Sequence, residues 1–223
     1  MSNLPPVNSA ISREAQSLDI LQWAIAHYPQ LAMTSAFNLN GVVLIDMAVK
    51  AGYKGEVLFV DTNYHFPETL ETRDHLSARY PELNFVTLSA NLADDKLYRQ
   101  DTERCCFLRK VKPLQDHIAA KAYNAILNAR SRDQAHTRAS LDIVEPFGSC
   151  HKIHPLVFWQ QADLEAYALR EDLPLNPLYW QGYLSIGCAP CTRPVRQGEA
   201  LRDGRWTGQE KTECGLWWGK QAL

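Results

Sequence analysis

An α/β fold with a mostly parallel sheet and helices on both faces is what this sequence predicts, on three observations. Short β-rich runs alternate with segments of helical periodicity, the pattern of strands joined by crossover helices. A length of 223 residues suits one α/β domain with an appended tail, or at most two small domains. An apolar fraction of 46% with six Trp is enough to fill a core without disulfide staples.

Taken in order, Ile11 to Tyr28 carries apolar residues at helical spacing, with Ser12 as the N-cap and Pro29 as the stop. Leu31 to Thr34 reads as a short buried strand, followed by the polar loop Ser35 to Asn40 and a helix from about Gly41 to Ala51. Glu56 to Val60 is a strand running into Asp61-Thr62-Asn63. A helix begins near Pro67, a residue favoured in the first turn. Asn84 to Leu88 is a third strand, the Cys105 segment leads into a helix through about Ala120, and Tyr123 to Asn128 is a fourth strand. An Arg-rich stretch, Arg130 to Arg138, follows. Lys152 to Phe158 reads as another strand and Asp163 to Glu171 as a helix. From Pro174 onward Pro, Gly and Arg become frequent, as in loops wrapped around a site.

A net charge of −2 argues against broad binding to nucleic acid or a membrane surface. The longest apolar stretch, Gly41 to Val49, is too short to span a bilayer and is broken by Asp46. Met1 to Ala10 lacks the pattern of a signal peptide, so the expected compartment is the cytoplasm, with reduced thiols serving as ligands or catalysts.

Five of the six cysteines fall into three groups: Cys105-Cys106, Cys188-Ala-Pro-Cys191, and Cys214 in the tail Lys211-Thr-Glu-Cys-Gly-Leu216. The first four make a set of thiolates for a metal or cluster. Zinc is the general default for four sulfurs, but a bare adjacent pair is awkward for it, since zinc ligand pairs are usually separated. A 4Fe-4S cluster is the other four-thiolate option; a redox dithiol or buried structural cysteines are the bland one. Cys150 has no partner group and reads as a small filler. Cys214, in a polar tail beside a thiolate site, is a candidate nucleophile.

Charge gathers around these groups. Lys110 lies four residues after Cys106, one helical turn away, and Arg193, Arg196, Arg202 and Arg205 follow Cys191. Any one of them alone reads as solvated surface; together they stabilise an anionic cluster and offer forked donors to sulfate or phosphate oxygens. Neither a Walker loop nor a dinucleotide fingerprint is present. The Thr34-Ser35-Ala36-Phe37 turn leads into a helix whose N-terminal amides can hold a phosphate, and Asp61-Thr62 ends a strand where open parallel sheets bind ligands.

The chain resembles the assimilatory adenylyl-sulfate (APS) reductases within the PAPS reductase group, over roughly Leu31 to Leu216. The carriers are Thr34 to Phe37, Val60 to Thr69, Cys105 to Leu114, Ser131 to Gln134 with Thr137-Arg138, Ile186 to Val195, and Lys211 to Leu216. The resemblance implies a PP-loop type, adenine nucleotide α-hydrolase-like fold. Three parts are expected: an N-terminal helical segment over 1–29, a nucleotide-binding and iron–sulfur reductase domain over 30–197, and a catalytic tail over 198–223. It implies that Cys105, Cys106, Cys188 and Cys191 ligate one 4Fe-4S cluster per subunit, acting by electrostatics rather than electron transfer. It also implies that Cys214 attacks the sulfur of APS, and that thioredoxin or glutaredoxin then releases sulfite. Lys110 would couple cluster to substrate, while Arg132, Arg202 and Arg205 would hold sulfate and phosphate oxygens. Thr34, Ser35, Phe37, Asp61, Thr62 and Asn63 match the nucleotide-binding segments.

Three positions depart from the family's usual pattern. Trp217 and Trp218 follow Leu216 where a His is usual, Ala129-Arg-Ser-Arg132 replaces Gly-x-Arg-Arg, and the Ser35 to Asn40 loop lacks a glycine. These bear on affinity and on the choice between APS and PAPS, not on reaction type. Reduction of PAPS, or of both nucleotides, is therefore the nearest alternative. A PP-loop adenylyltransferase is disfavoured because its Ser-Gly-Gly-x-Asp-Ser loop is missing. A redox-sensing iron–sulfur or zinc module would leave Cys214 dispensable. Oligomeric state, a homo-oligomer included, is open at this level.

Overall fold

Six strands form one sheet in the order β3-β2-β1-β4-β6-β5. They are β1 (Leu31–Thr34), β2 (Glu56–Asp61), β3 (Asn84–Ser89), β4 (Ala125–Asn128), β5 (Val144–Phe147) and β6 (Cys150–Ile153). The structure is a computed structural model and describes residues 10–216. All pairings are parallel except β5 with β6. Helices α1 (Arg13–His27), α2 (Leu39–Lys50), α3 (Pro67–Arg79), α4 (Thr102–Cys106), α5 (Lys112–Lys121) and α6 (Gln161–Arg170) complete the regular structure, with several single turns.

Side chains alternate across the sheet with the two-residue period of extended chain. Met33, Val57, Phe59, Ala125 and Leu127 enter the larger apolar cluster, with α1, α2 and α6. Ala32, Leu58 and Ile126 enter a second cluster on the other face, with Leu114 and Ile118 of α5. Cys150 lies in that second cluster, its thiol 3.2 Å from the Phe147 carbonyl, as a small filler should. The α1 helix is capped by Ser12, whose side chain accepts from Ala15 N–H, and it packs into the larger cluster through Ile20, Leu21 and Trp23. The α2 helix is buried on nearly every face, which explains its continuous apolar run. Its buried Asp46 is satisfied: Tyr80 and Tyr167 hydroxyls donate to it at 2.7 and 2.6 Å, and Lys50 lies 2.8 Å away.

Two sequence expectations change here. The α2 helix begins two residues earlier than Gly41, because Asn38 accepts from Gly41 N–H and caps it. The strand expected over 152–158 ends at Ile153. It is the second arm of a hairpin whose first arm, β5, carries Pro146 and turns through Gly148 at φ 59°. A proline reads against a strand, but β5 is an edge, where a missing N–H is tolerated. Among the described residues no helix is long and apolar enough to cross a membrane.

Candidate active site

Sheet order reverses between β1 and β4: the chain builds outward from β1 through β2 to β3, then crosses back to lay β4 on the other side of β1. Two neighbouring strands whose connections leave in opposite directions open a crevice at their carboxyl ends. A cleft of about 1080 Å³, counted to its open mouth, lies there. Thr34, Ser35 and Ala36 line it after β1, Asn128, Ala129 and Arg130 after β4, and Leu58, Phe59 and Val60 from β2. The first turn of α2 supplies Asn38 and Gly41. Gly41 is needed for close approach, since a Cβ there would run into the Ser35 hydroxyl.

Five cationic side chains line this cleft: Lys110, Arg130, Arg138, Arg202 and Arg205. Their crowding has an electrostatic cost. Burial, with Arg138 nearby, pushes Arg202 down to about 10, and burial lowers Arg130 as well. Among the described residues, the Nε atoms of Arg130, Arg202 and Arg205 are buried without a hydrogen-bond partner. Guanidinium groups held close together with unspent donors form a site that an anion relieves. Gly187 lets the Arg205 guanidinium pass, because a Cβ there would collide with it. Arg205 also stacks on Trp206 at 4.4 Å.

A second, smaller pocket shares Lys110, Arg205 and Trp206 with the cleft, and Cys105, Cys106, Cys188 and Cys191 all line it. Asp101 caps α4 by accepting from Arg104 N–H, and the chain passes from Cys105-Cys106 into a π-helical turn, Phe107–Val111, before α5. The wider turn is a feature common at functional sites, and Arg109 and Lys110 both lie within it. Arg109, 2% exposed, donates to the carbonyls of Thr62, Leu92 and Ala93 and pairs with Asp95 at 3.1 Å, so it ties two loops around the pocket. The other cysteine pair sits on the 3-10 turn Ala189–Cys191, where Ala189 N–H donates to Tyr64 O at 2.7 Å.

The thiols respond to burial and cations in opposite senses. Burial pushes Cys106 up to about 12 and raises Cys105 and Cys191. Burial acts the same way on Cys188, but Lys110, the Thr62 hydroxyl at 3.3 Å and Arg205 outweigh it and bring that thiol below its ordinary value. For Lys110, burial disfavours the charge, yet Cys188 and Cys214 prevail and hold it above the usual lysine range. Among the described residues no group of three or more His, Cys, Asp or Glu side chains is arranged to hold a metal ion.

Cys214 lines the cleft, half-buried, between Glu213 and Gly215, which line it too. Thr34, Ser35, Lys110, Arg202 and Arg205 are therefore gathered with Cys214 around one space. Other residues singled out from sequence lie elsewhere. Arg132 donates through Nε to Leu141 O at 2.9 Å and stacks on Phe158, outside the cleft lining; Arg130 takes the cleft position. Phe37, at φ 53°, is fully buried against Phe59. Thr62 turns toward Cys188, and Asp61 accepts from Asn63 N–H in a local turn with Asn63 at φ 62°. Trp217 and Trp218 lie outside the described residues.

Arg130, Arg138, Glu213 and His65 line the cleft without having been singled out for it. The signal available for Arg130 was its place just after the fourth strand, on the ligand-binding edge of a parallel sheet. Arg138 and His65 stand within the stretches that carry the family resemblance, Thr137-Arg138 and Val60 to Thr69. His65 Nε2 lies 3.1 Å from Val60 O while Nδ1 is buried and, among the described residues, unpartnered; burial, then Lys110, push this histidine down to about 4.

Residues 30–194 match the phosphoadenosine phosphosulfate reductase domain, and the chain belongs to that family. It is 56% identical over 220 residues to the adenosine 5'-phosphosulfate reductase of Deinococcus radiodurans, covering 96% of this chain and 86% of that protein. To adenosine 5'-phosphosulfate reductase 1 of Bacillus subtilis it is 42% identical over 212 residues, covering 90% of each. Among solved structures, the phosphoadenylyl-sulfate reductase of Candida auris in a phosphate complex superposes with a TM-score of 0.70 at 30% identity, covering 80% of this chain and 90% of that one. A Candida glabrata FMN adenylyltransferase reaches 0.64 at 14% identity, covering 95% of this chain and 81% of that one, a likeness of fold alone.

Proposed function

We propose that the protein reduces adenosine 5'-phosphosulfate to sulfite and AMP in assimilatory sulfate reduction, leading to cysteine synthesis, with Cys214 as nucleophile. One observation carries this reading: a cysteine thiol faces a cleft at the switch point of a parallel sheet that also holds five cations and a helix N-terminus. Its relatives named adenosine 5'-phosphosulfate reductases support the substrate class.

In this reading the amides at the start of α2, with Thr34 and Ser35, take part of the nucleotide, and Lys110, Arg130 and Arg205 take the phosphosulfate oxygens. The Cys214 thiolate attacks the sulfate sulfur. A sulfur–sulfur bond forms, the bond from sulfur to the bridging oxygen breaks, and AMP leaves with that electron pair. Cations on the bridging and phosphate oxygens stabilise the charge as it develops. A dithiol reductant of the thioredoxin or glutaredoxin type then attacks Cys214 Sγ, and sulfite departs with the sulfur–sulfur electron pair. The reductant's second thiol resolves the mixed disulfide and returns Cys214 as thiolate. Such a dithiol pool, and reduced Cys214, belong to the cytoplasm.

The four thiols, three buried and Cys191 half-buried, suit a 4Fe-4S cluster better than a zinc ion. Paired zinc ligands are usually separated by about two to four residues, not adjacent as Cys105 and Cys106 are. Each cysteine of a four-iron cluster binds its own iron. Arg109, Lys110 and Arg205 on the same walls fit the negative charge of such a group. When bound, it supplies fixed charge behind Lys110.

The test is anaerobic incubation with APS in the absence of reductant, followed by peptide mass mapping. The expected result is a sulfonate on Cys214 that added thioredoxin discharges. An adduct with PAPS alone keeps the chemistry and changes the substrate; no adduct with either nucleotide overturns the reading.

A further inference from the structure

The tail is held to the cleft on both sides of Cys214, and the firmer hold is ionic. Glu213 is 9% exposed at its side chain. Arg138 grips both of its oxygens, Nε at 2.7 Å and Nη2 at 2.8 Å. Arg202 Nη2 reaches the second oxygen at 3.1 Å and also donates to Thr212 O at 3.0 Å. The Thr137 hydroxyl donates to the first oxygen at 3.2 Å. Beyond Cys214 the chain turns through Gly215 at φ 75°, and Leu216 packs against the second apolar cluster.

We propose that Glu213 is the latch of the reductase: its carboxylate docks on Arg138, Arg202 and Thr137, and this contact seats the Cys214 thiol in the cleft. The proposal rests on the reading of Cys214 as nucleophile. A buried ion pair adds little net stability compared with an apolar pair of the same shape, so its value here lies in register. A forked guanidinium accepts a carboxylate in one orientation, whereas Leu216 can slide on an apolar surface. With the Glu213 carboxylate fixed, only a few dihedrals separate it from the Cys214 sulfur, so the thiol has little space left to search. The latch also divides the cations. Arg138 is committed to the tail. Among the described residues, Arg202 gives the tail one nitrogen while keeping Nε unpartnered, whereas Arg205 has no carboxylate partner and Arg130 only a distant one, Glu145 at 3.8 Å. These two and Lys110 are left for the substrate's anion.

The rival arrangement is that Glu213 competes with substrate for Arg138 and Arg202. The two differ in kinetics. Losing a latch lowers kcat with little change in KM, because bound substrate waits for a mispositioned thiol. Losing a competitor lowers KM and leaves kcat alone.

The experiment uses the full chain, purified anaerobically with its iron. Glu213→Gln, Glu213→Asp and Arg138→Lys are compared with the wild type in two readouts. One is the rate of Cys214 alkylation by iodoacetamide without substrate, followed by peptide mapping. The other is kcat and KM for APS with saturating thioredoxin. At unchanged iron content, Glu213→Gln is expected to speed alkylation about fivefold or more and to lower kcat about tenfold or more, with KM within about twofold. Glu213→Asp keeps the charge and recovers part of the loss. Arg138→Lys keeps charge without the fork and moves both readouts the same way by less. Unchanged alkylation and kcat, or a fall in KM at constant kcat, overturns the latch. The wild-type sulfonate test is independent: an adduct there with an unaltered Glu213→Gln defeats the latch alone, and no adduct defeats the underlying reading.

Discussion

The cationic cleft and the cysteine-lined pocket share Lys110, Arg205 and Trp206 as a common wall, yet they are built in opposite ways. The cleft is made of strand ends and a helix N-terminus, with guanidinium Nε atoms left unpartnered and an open mouth. The pocket is made of a π-helical turn and a 3-10 turn closed over four thiols, and Arg109 beside it ties the surrounding loops through its two Nη atoms. An open mouth suits a ligand that comes and goes; a closed shell suits one that stays. Lys110 lies on the wall between the two, lining both.

The sharpest way to separate them is a pair of cysteine substitutions. Cys214→Ser is expected to lower sulfite release by about 10⁴-fold or more, as for other lost nucleophiles, and to leave iron content unchanged. Cys188→Ser is expected to lose iron and turnover together. Iron analysis beside a sulfite assay decides it, and a fully active, iron-depleted Cys188→Ser would break the link between the sites. Next in size is Lys110→Met, which removes the shared charge. Loss of one preorganised group on a developing anion costs about 10²–10³ in turnover, read from kcat/KM for APS at unchanged iron content.

His65 tests the cleft wall through pH. Its value in the fold is about 4, against 6.5 for an ordinary histidine, with Lys110, Asp61 and Arg205 as its charged neighbours. Between those values the unfolded chain takes up the proton and the fold does not, so stability falls as pH drops from about 6.5 to 4. At pH 5 this one group costs about 2 kcal/mol relative to neutral pH. His65→Gln, which keeps a donor toward Val60 O, is expected to remove that share of the acid loss in urea unfolding at pH 7 and pH 5. An identical acid loss in both proteins would assign it elsewhere.

The smallest effect is expected at Arg132. Arg132→Ala should keep kcat/KM within about threefold, as for most changes away from a site. Arg130→Ala should lower it about tenfold or more through a lost charged hydrogen bond. The reverse order would show that the family's arginine position, and not the cleft lining, locates the anion.

Much of the fold was readable from local pattern. Ser12, Pro67 and the apolar runs of β1, β2, β3 and β4 are short-range signals, each acting within a turn or a strand. The cysteine groups stood out because thiolates in a chain that needs no staples call for a ligand role. Charge without contact was less readable. Arg130 and Arg132 are two residues apart in one arginine-rich stretch, and nothing in their spacing tells which one stacks on Phe158 and which faces the cleft. Asp61, Thr62 and Asn63 sit where a parallel sheet binds ligands, but the turn they form directs Thr62 to Cys188.

By itself the sequence determined most of the elements, the parallel run of five strands though not the antiparallel edge β5, and the residue types suited to thiol chemistry on an anion. It did so because periodicity, capping and donor softness are properties of neighbouring residues. Tertiary structure alone decided which strands flank the reversal of sheet order, which arginines face it, and that Glu213 meets Arg138 from 75 residues away. Those outcomes depend on how distant segments pack, and long-range packing leaves no periodic mark on the chain it folds.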